Sequence, residues 1–247
     1  MVTKQRNFEM EWAKIHLDTL NARLSALLRQ PENLYRITTN EDLERQLLTI
    51  KGESIGSLEV LTIGLIAGDF VCNLRGALDH LAWALSKIGK SNPSSETCFP
   101  IFGEDNPRTQ AKIAAAVAGM PSGAVAAVKS FQPYNSGKSY KSHHLWRLNF
   151  LWNANKHRII GLHSINSGTL FEVARGIPIL EERKFQDHGI VTIPLSAKDK
   201  VRLNPRPNTE IFFGDEERGV QLTIQDLRDI YEFVRLEVNP ALSCFLP

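Results

Sequence analysis

GDFVCNLRGALDHLAWAL, residues 68–85, is the stretch whose reading decides the fold. Its apolar residues recur at helical spacing, and the pattern extends on both sides, so it predicts one long helix over about residues 58–87. Polar side chains are set into that apolar background. At about 100° per residue, Asn73 and His80 differ by only about 20°, and Asp69 lies close to the same side. Arg75 and Asp79, four apart, are spaced for an ion pair on a different side. Such a helix is either the wall of a site or a core helix held by a polar network. Gly64, Gly68 and Gly76 lie inside it, each costing about 1 kcal/mol against alanine. Close approach of another helix would explain them, and so would a ligand pressed against the backbone.

Outward from this helix, residues 5–29 predict an amphipathic helix carrying Phe8, Trp12, Ile15, Leu20, Leu24, Leu27 and Leu28. Residues 34–51 fit a β-hairpin around Asn40-Glu41-Asp42, although LERQLL is equally compatible with helix. Residues 89–98 are a loop, and Phe99-Pro100-Ile101-Phe102 reads as an extended segment packed onto the core. Two short helices follow at 107–118 and 121–130, then an exposed connection, FQPYNSGKSYKS. A third major helix spans 142–156. Residues 158–214 carry strand-like runs broken by Gly, Pro and Asn, which predict a small antiparallel sheet. The helix at 222–238 begins near Thr223, ends before Pro240, and returns to the bundle through Leu227, Ile230, Tyr231, Val234 and Leu236. The expected fold is α+β, one domain over 1–247. Its mainly helical part is 5–157, its β-rich part 158–214, and its last helix 222–238.

Composition narrows the function classes. Among 247 residues, 29 are basic and 27 acidic, so the formal charge of +2 gives no general nucleic-acid-binding surface. Cys72, Cys98 and Cys244 form no CxxC pair, which argues against a disulfide framework or thiolate zinc site and fits a cytoplasmic protein. Cys72 is expected to be a buried, inert thiol. Trp12, Trp83, Trp146 and Trp152 are expected as helix-core anchors. No signal-type leader is read at the start, and the charged residues around 69–80 would be costly in lipid, so no membrane association is expected. GKS at 137–139 lacks the glycine that a phosphate-binding loop needs, and no HExxH, GxSxG or dinucleotide fingerprint is present. His143 and His144 are adjacent and point in different directions. A metal on Asp69, His80 and His157 is the one set conceivable, and neither metal nor cofactor is expected.

Two groups could carry chemistry. Asp69, Asn73, Arg75 and His80 form a candidate catalytic set: His80 as acid or base, Arg75 on a phosphate, Asp69 or Asn73 orienting them. Lys156, His157 and Arg158 form a candidate anion-binding group, although cations at a helix C-terminus also complement the helix dipole. Asn149, Asn153 and His157 share a helical face. Tyr134, Tyr140, Lys138 and Lys141 could touch RNA or protein, a combination too common to carry a claim.

The motifs Gly68-Asp69, Asn73-Leu74-Arg75, Ala77-Leu78-Asp79-His80-Leu81, Phe99-Pro100-Ile101-Phe102, Gln132-Pro133-Tyr134 and Lys156-His157-Arg158 resemble an uncharacterised family frequent in actinobacteria. The resemblance covers most of residues 55–160, with Asn155 where that pattern usually has Asp, and implies no activity. Arg75-x4-His80 more loosely resembles the HEPN superfamily of helical ribonucleases and nucleotide-binding proteins. That resemblance implies metal-independent RNA cleavage in a cleft shared across a homodimer, with Arg75 on the scissile phosphate and His80 moving the proton. The alternatives left open are a noncatalytic helical structural or interaction module, a ribonuclease, and an anion- or nucleotide-binding protein.

Overall fold

The computed structural model describes residues 2–29, 35–42, 44–45, 47–54, 58–89, 92–167, 170–173, 177–179, 184–186, 188–194, 201–204, 208–215 and 219–247. The fold is α+β, and its contacts divide the chain into two compact units. One holds Met1–Leu20, Gly64–Ile160 and Ile224–Pro247; the other holds Asn21–Ile63 and Gly161–Thr223. The division falls inside two long helices, α1 (Val2–Leu28) and α2 (Leu58–Ser86).

The β-rich unit recruits the hairpin expected near the N-terminus. β1 (Tyr35–Asp42) and β2 (Leu47–Ser54) pair antiparallel, with Glu44 and Arg45 in a turn and Leu47 and Leu48 in the strand, and β2 pairs on its far side with β7 (His188–Pro194). In place of the single sheet expected over 158–214, the described strands form three. β3 (Gly161–Ser167) is central to a second, ordered β10-β9-β3-β6, where β6 is Lys184–Gln186, β9 Asn208–Asp215 and β10 Val220–Leu222. β4 (Leu170–Val173) lies between β5 (Ile177–Ile179) and β8 (Val201–Asn204) in the third.

The helical unit contains the C-terminal part of α2, with α3 (Pro107–Ala116), α4 (Ser122–Ser130), a 3₁₀ segment (Pro133–Ser142) and α5 (His144–Asn155). α6 (Ile224–Phe233) runs through a π turn (Val234–Val238) into α7 (Asn239–Ser243). α2 is long and apolar enough, by length and composition, to cross a membrane, and half of that window is buried within the protein. Phe70, Val71, Leu74, Leu78, Leu81 and Leu85 supply its buried face.

Several expectations are corrected. The last helix does not stop before Pro240. The π turn pairs the Asn239 N–H with the Val234 carbonyl, and Pro240, which has no N–H to pair, sits in the first turn of α7. Leu236 is exposed while Val234, Val238 and Leu242 are buried, because Leu236 lies about 200° around the helix from Val234. Cys72 is exposed, one position off the buried face that holds Val71. Trp12 faces outward, so it is no core anchor. In the connection after Phe131, Gln132 and Pro133 are buried.

Phe99–Phe102 is packed on the core as expected, with Phe99 fully buried, but among the described residues it pairs with no strand. Its backbone groups are satisfied by side chains instead. Asp79 Oδ1 accepts from Phe99 N at 2.9 Å, and Arg75 Nη2 donates to Phe99 O at 2.6 Å. Gln132, fully buried, donates to Pro100 O at 2.7 Å and accepts from Phe102 N at 3.1 Å. Tyr134 N then donates to Phe102 O at 3.3 Å.

α5 begins on an unusual cap: His143 Nδ1 accepts from Leu145 N at 3.2 Å, a bond only the unprotonated nitrogen can accept. Burial, and secondarily His144, lowers the His143 pKa from 6.5. Burial also lowers that of His144, whose Nδ1 is buried with no partner, and both rings pack on Phe233. The unfolded chain therefore takes up these protons near pH 6.5 while the folded chain does not, so the stability these two groups contribute is lost as pH drops below about 6.5. The carboxyls of Glu9 and Asp79, whose pKa values burial raises, act in the opposite direction, so the histidine contribution is read by comparing thermal melts of wild type and a His143 variant at about pH 7.5 and about pH 5.5. His143→Asn, which keeps a capping oxygen and does not titrate, is expected to flatten part of that slope.

Candidate functional site

The polar residues of α2 divide by burial. Arg75 is 4% exposed. Besides Phe99 O, its guanidinium meets Asp79 Oδ1 at 3.0 Å and lies 5.1 Å from the centroid of the Trp152 ring. Nη1 makes the ion contact without hydrogen-bond alignment, and Nε is buried with no partner. An arginine that could be turned toward a phosphate would keep one edge of its fork open; this one is sealed. Burial is the main influence on the Asp79 carboxyl and raises its pKa, opposed by Arg75, the Phe99 N–H, His80 and Lys156. Burial, and next Asp79, likewise pushes up the Cys98 thiol, which keeps it in the less reactive neutral form.

His80 is the more open group, its side chain 33% exposed. Its Nδ1 lies 2.6 Å from Glu9 Oε2 on α1. Gly76 makes room for that carboxylate: a Cβ there would stand 3.2 Å from Glu9 Oε1. Burial raises the Glu9 pKa, and the hydrogen bond to His80 opposes the rise. Glu9, not Asp69 or Asn73, is therefore the residue that orients His80. Asp69 is exposed, and Asn73 Nδ2 donates to the Asp69 backbone carbonyl at 2.8 Å. The expected Asp69–Asn73–His80 side is a shared helical direction rather than a joined network.

At the end of α5, Lys156, His157 and Arg158 are all exposed. Lys156 Nζ sits 3.1 Å from the centroid of Trp152, so this ring receives both the buried guanidinium and a surface ammonium. Asn155 packs against Gly68, where a side chain would collide with its amide, and donates to Cys72 Sγ at 3.3 Å. Gly68 and Gly76 are thus both explained by side chains arriving from other helices. No group of three His, Cys, Asp or Glu suited to a metal ion occurs among the described residues.

Sequence reasoning missed Glu9, Gln132 and the double role of Trp152. Glu9 is 71 positions from His80, and no spacing rule links them. Gln132 carried a signal only through its place in the QPY motif.

Compared with models of protein families, with curated proteins and with solved structures, the chain has no match.

Arg75→Ala is expected to lower stability by about 2–4 kcal/mol, because it orphans Phe99 O and leaves Asp79 without its buried partner. Gln132→Leu should cost about 1–3 kcal/mol for the same reason at Pro100 and Phe102. His80→Ala, at a part-open position, should cost less than either. Urea titrations of the three variants check the order.

Proposed function

We propose that the chain is a noncatalytic helical interaction module whose polar centre is structural. One observation carries the reading: Arg75, the residue a nuclease would need on its phosphate, is sealed in the core and grips the Phe99 carbonyl, Asp79 and the Trp152 ring. Four motifs of the resemblance contribute to one packing device. Arg75 and Asp79 clamp one end of the FPIF segment, and Gln132 and Tyr134 the other. A polar cluster needed for packing requires no substrate to explain it. The reading includes a reducing, cytoplasmic setting, in keeping with three free cysteines, two of them exposed.

The part-open Glu9–His80 pair supports a second reading, the HEPN-like ribonuclease. In it His80 is the proton-transfer group and exposed Lys156, His157 and Arg158 attract the anionic strand, while Arg75 acts only by holding the fold. That reading also covers nucleotide or other anion binding at the same basic turn.

Incubating the purified protein with single-stranded and hairpin RNA in excess chelator separates the two. The module predicts no cleavage above a buffer control. Cleavage by the wild type that disappears in a folded His80→Ala variant overturns the module and establishes the ribonuclease.

A further inference from the structure

α1 is apolar on two opposite faces. Met10, Ala13, Leu17, Leu20, Leu24 and Leu27 are buried, spaced alternately three and four apart. The other stripe, Phe8, Trp12, Ile15, Thr19, Ala22 and Ala26, repeats every four and three residues and lies about 150° around the helix. Phe8 is 57% exposed, Trp12 39% and Ile15 50%, and Ala22 and Ala26 are exposed as well. Both stripes have the period of a coiled-coil seam, and only one of them is covered.

We infer that the outer stripe of α1 pairs with the same stripe of a second copy, antiparallel, about a two-fold axis near Leu17. This names the partner of the interaction module and rests on that reading. The argument is the order of sizes. Phe8 and Ala26 are each nine residues from Leu17, Trp12 and Ala22 five, and Ile15 and Thr19 two. Reversing the helix on itself therefore sets a large side chain against a small one in every layer: Phe8 on Ala26, Trp12 on Ala22, Ile15 on Thr19. Knobs meet holes only in this orientation, since parallel pairing would stack Trp12 on Trp12 and leave a gap at Ala22. An isologous interface requires such self-complementarity.

The local chemistry agrees. Thr19 Oγ1 donates to Ile15 O at 2.7 Å, so its hydroxyl is engaged within its own helix. Phe8 and Trp12 pack edge to face at 5.7 Å, which holds the large end in shape. Asp18, which would meet its own copy near the axis, is neutralised by Lys14 at 2.6 Å. Covering the exposed parts of Phe8, Trp12 and Ile15 removes roughly 250–300 Å² per copy, given about 150–250 Å² for a whole aromatic side chain. With the small positions and the flanking stems the pair reaches about 1,000 Å², the low end for a specific interface, so the dimer is weak and concentration-dependent. The exposed Leu58, Leu61 and Leu65 of α2 are all large, and such a face offers no small side to receive itself.

Sedimentation velocity on the full chain from about 5 μM to about 500 μM tests the pairing. The wild type is expected to shift from monomer to dimer. Ile15→Glu and Ala22→Trp should each weaken association at least about tenfold, with unchanged circular dichroism. Combining Trp12→Ala with Ala22→Trp exchanges knob and hole and should restore dimerisation. A wild type that stays monomeric throughout, a dimer indifferent to Ile15→Glu, or an exchange variant no better than Ala22→Trp overturns the inference. Any of these leaves the interaction reading standing, since that reading fails on His80-dependent RNA cleavage instead.

Discussion

The two-sided grip of α2 on Phe99 is the interaction on which the rest of the helical unit depends. Phe99–Ile101 is buried but joins no sheet among the described residues, so its peptide groups would be left without partners in an apolar interior. Asp79 and Arg75, one turn apart on α2, take the N–H and the carbonyl of the same residue. The ion pair between them then serves two ends. It offsets the burial of each charge and fixes the separation of the two groups that hold the strand-like segment. Hydrophobic burial of Phe99 supplies the driving force, and the polar clamp supplies its address.

What the sequence made legible follows from periodicity. The long helix, the two short helices, the hairpin and the returning C-terminal helix all carry local signals. Strand partners do not, and β2 finds β7 well over a hundred residues away. The same limit applies to the site. Arg75 and Asp79 were readable as a pair because four residues is a helical neighbour distance. Glu9 and His80 were not, because their meeting depends on helix packing and on a glycine that leaves space between them. The helical period of α1 was visible too, but the residues grouped as one amphipathic face belong to two. Phe8, Trp12 and Ile15 face outward, while Leu20, Leu24 and Leu27 face in.

Trp152 shows how one aromatic can serve both interior and surface. Arg75 reaches it from the core, and Lys156 lies over it from the exposed end of α5. A tryptophan offers apolar area and a negatively polarised face together, so it can sit where buried charge gives way to solvent. The basic turn at 156–158 is thereby tied through one ring to the clamp beneath it.

The π turn at Val234–Val238 has a geometric consequence for the end of the chain. Val234, Val238 and Leu242 follow one another at intervals of four, and on an unbroken α-helix each step would carry the buried direction about 40° further around. A wider turn takes up that drift and keeps all three inward. It works as a phase corrector, an extra residue absorbed without unwinding. Removing one residue there would restore regular winding and set Leu242 seven residues from Val234, within about 20° of its direction. The buried stripe of this helix therefore tolerates the loss of one residue at the turn, because the wider turn is where that residue is held.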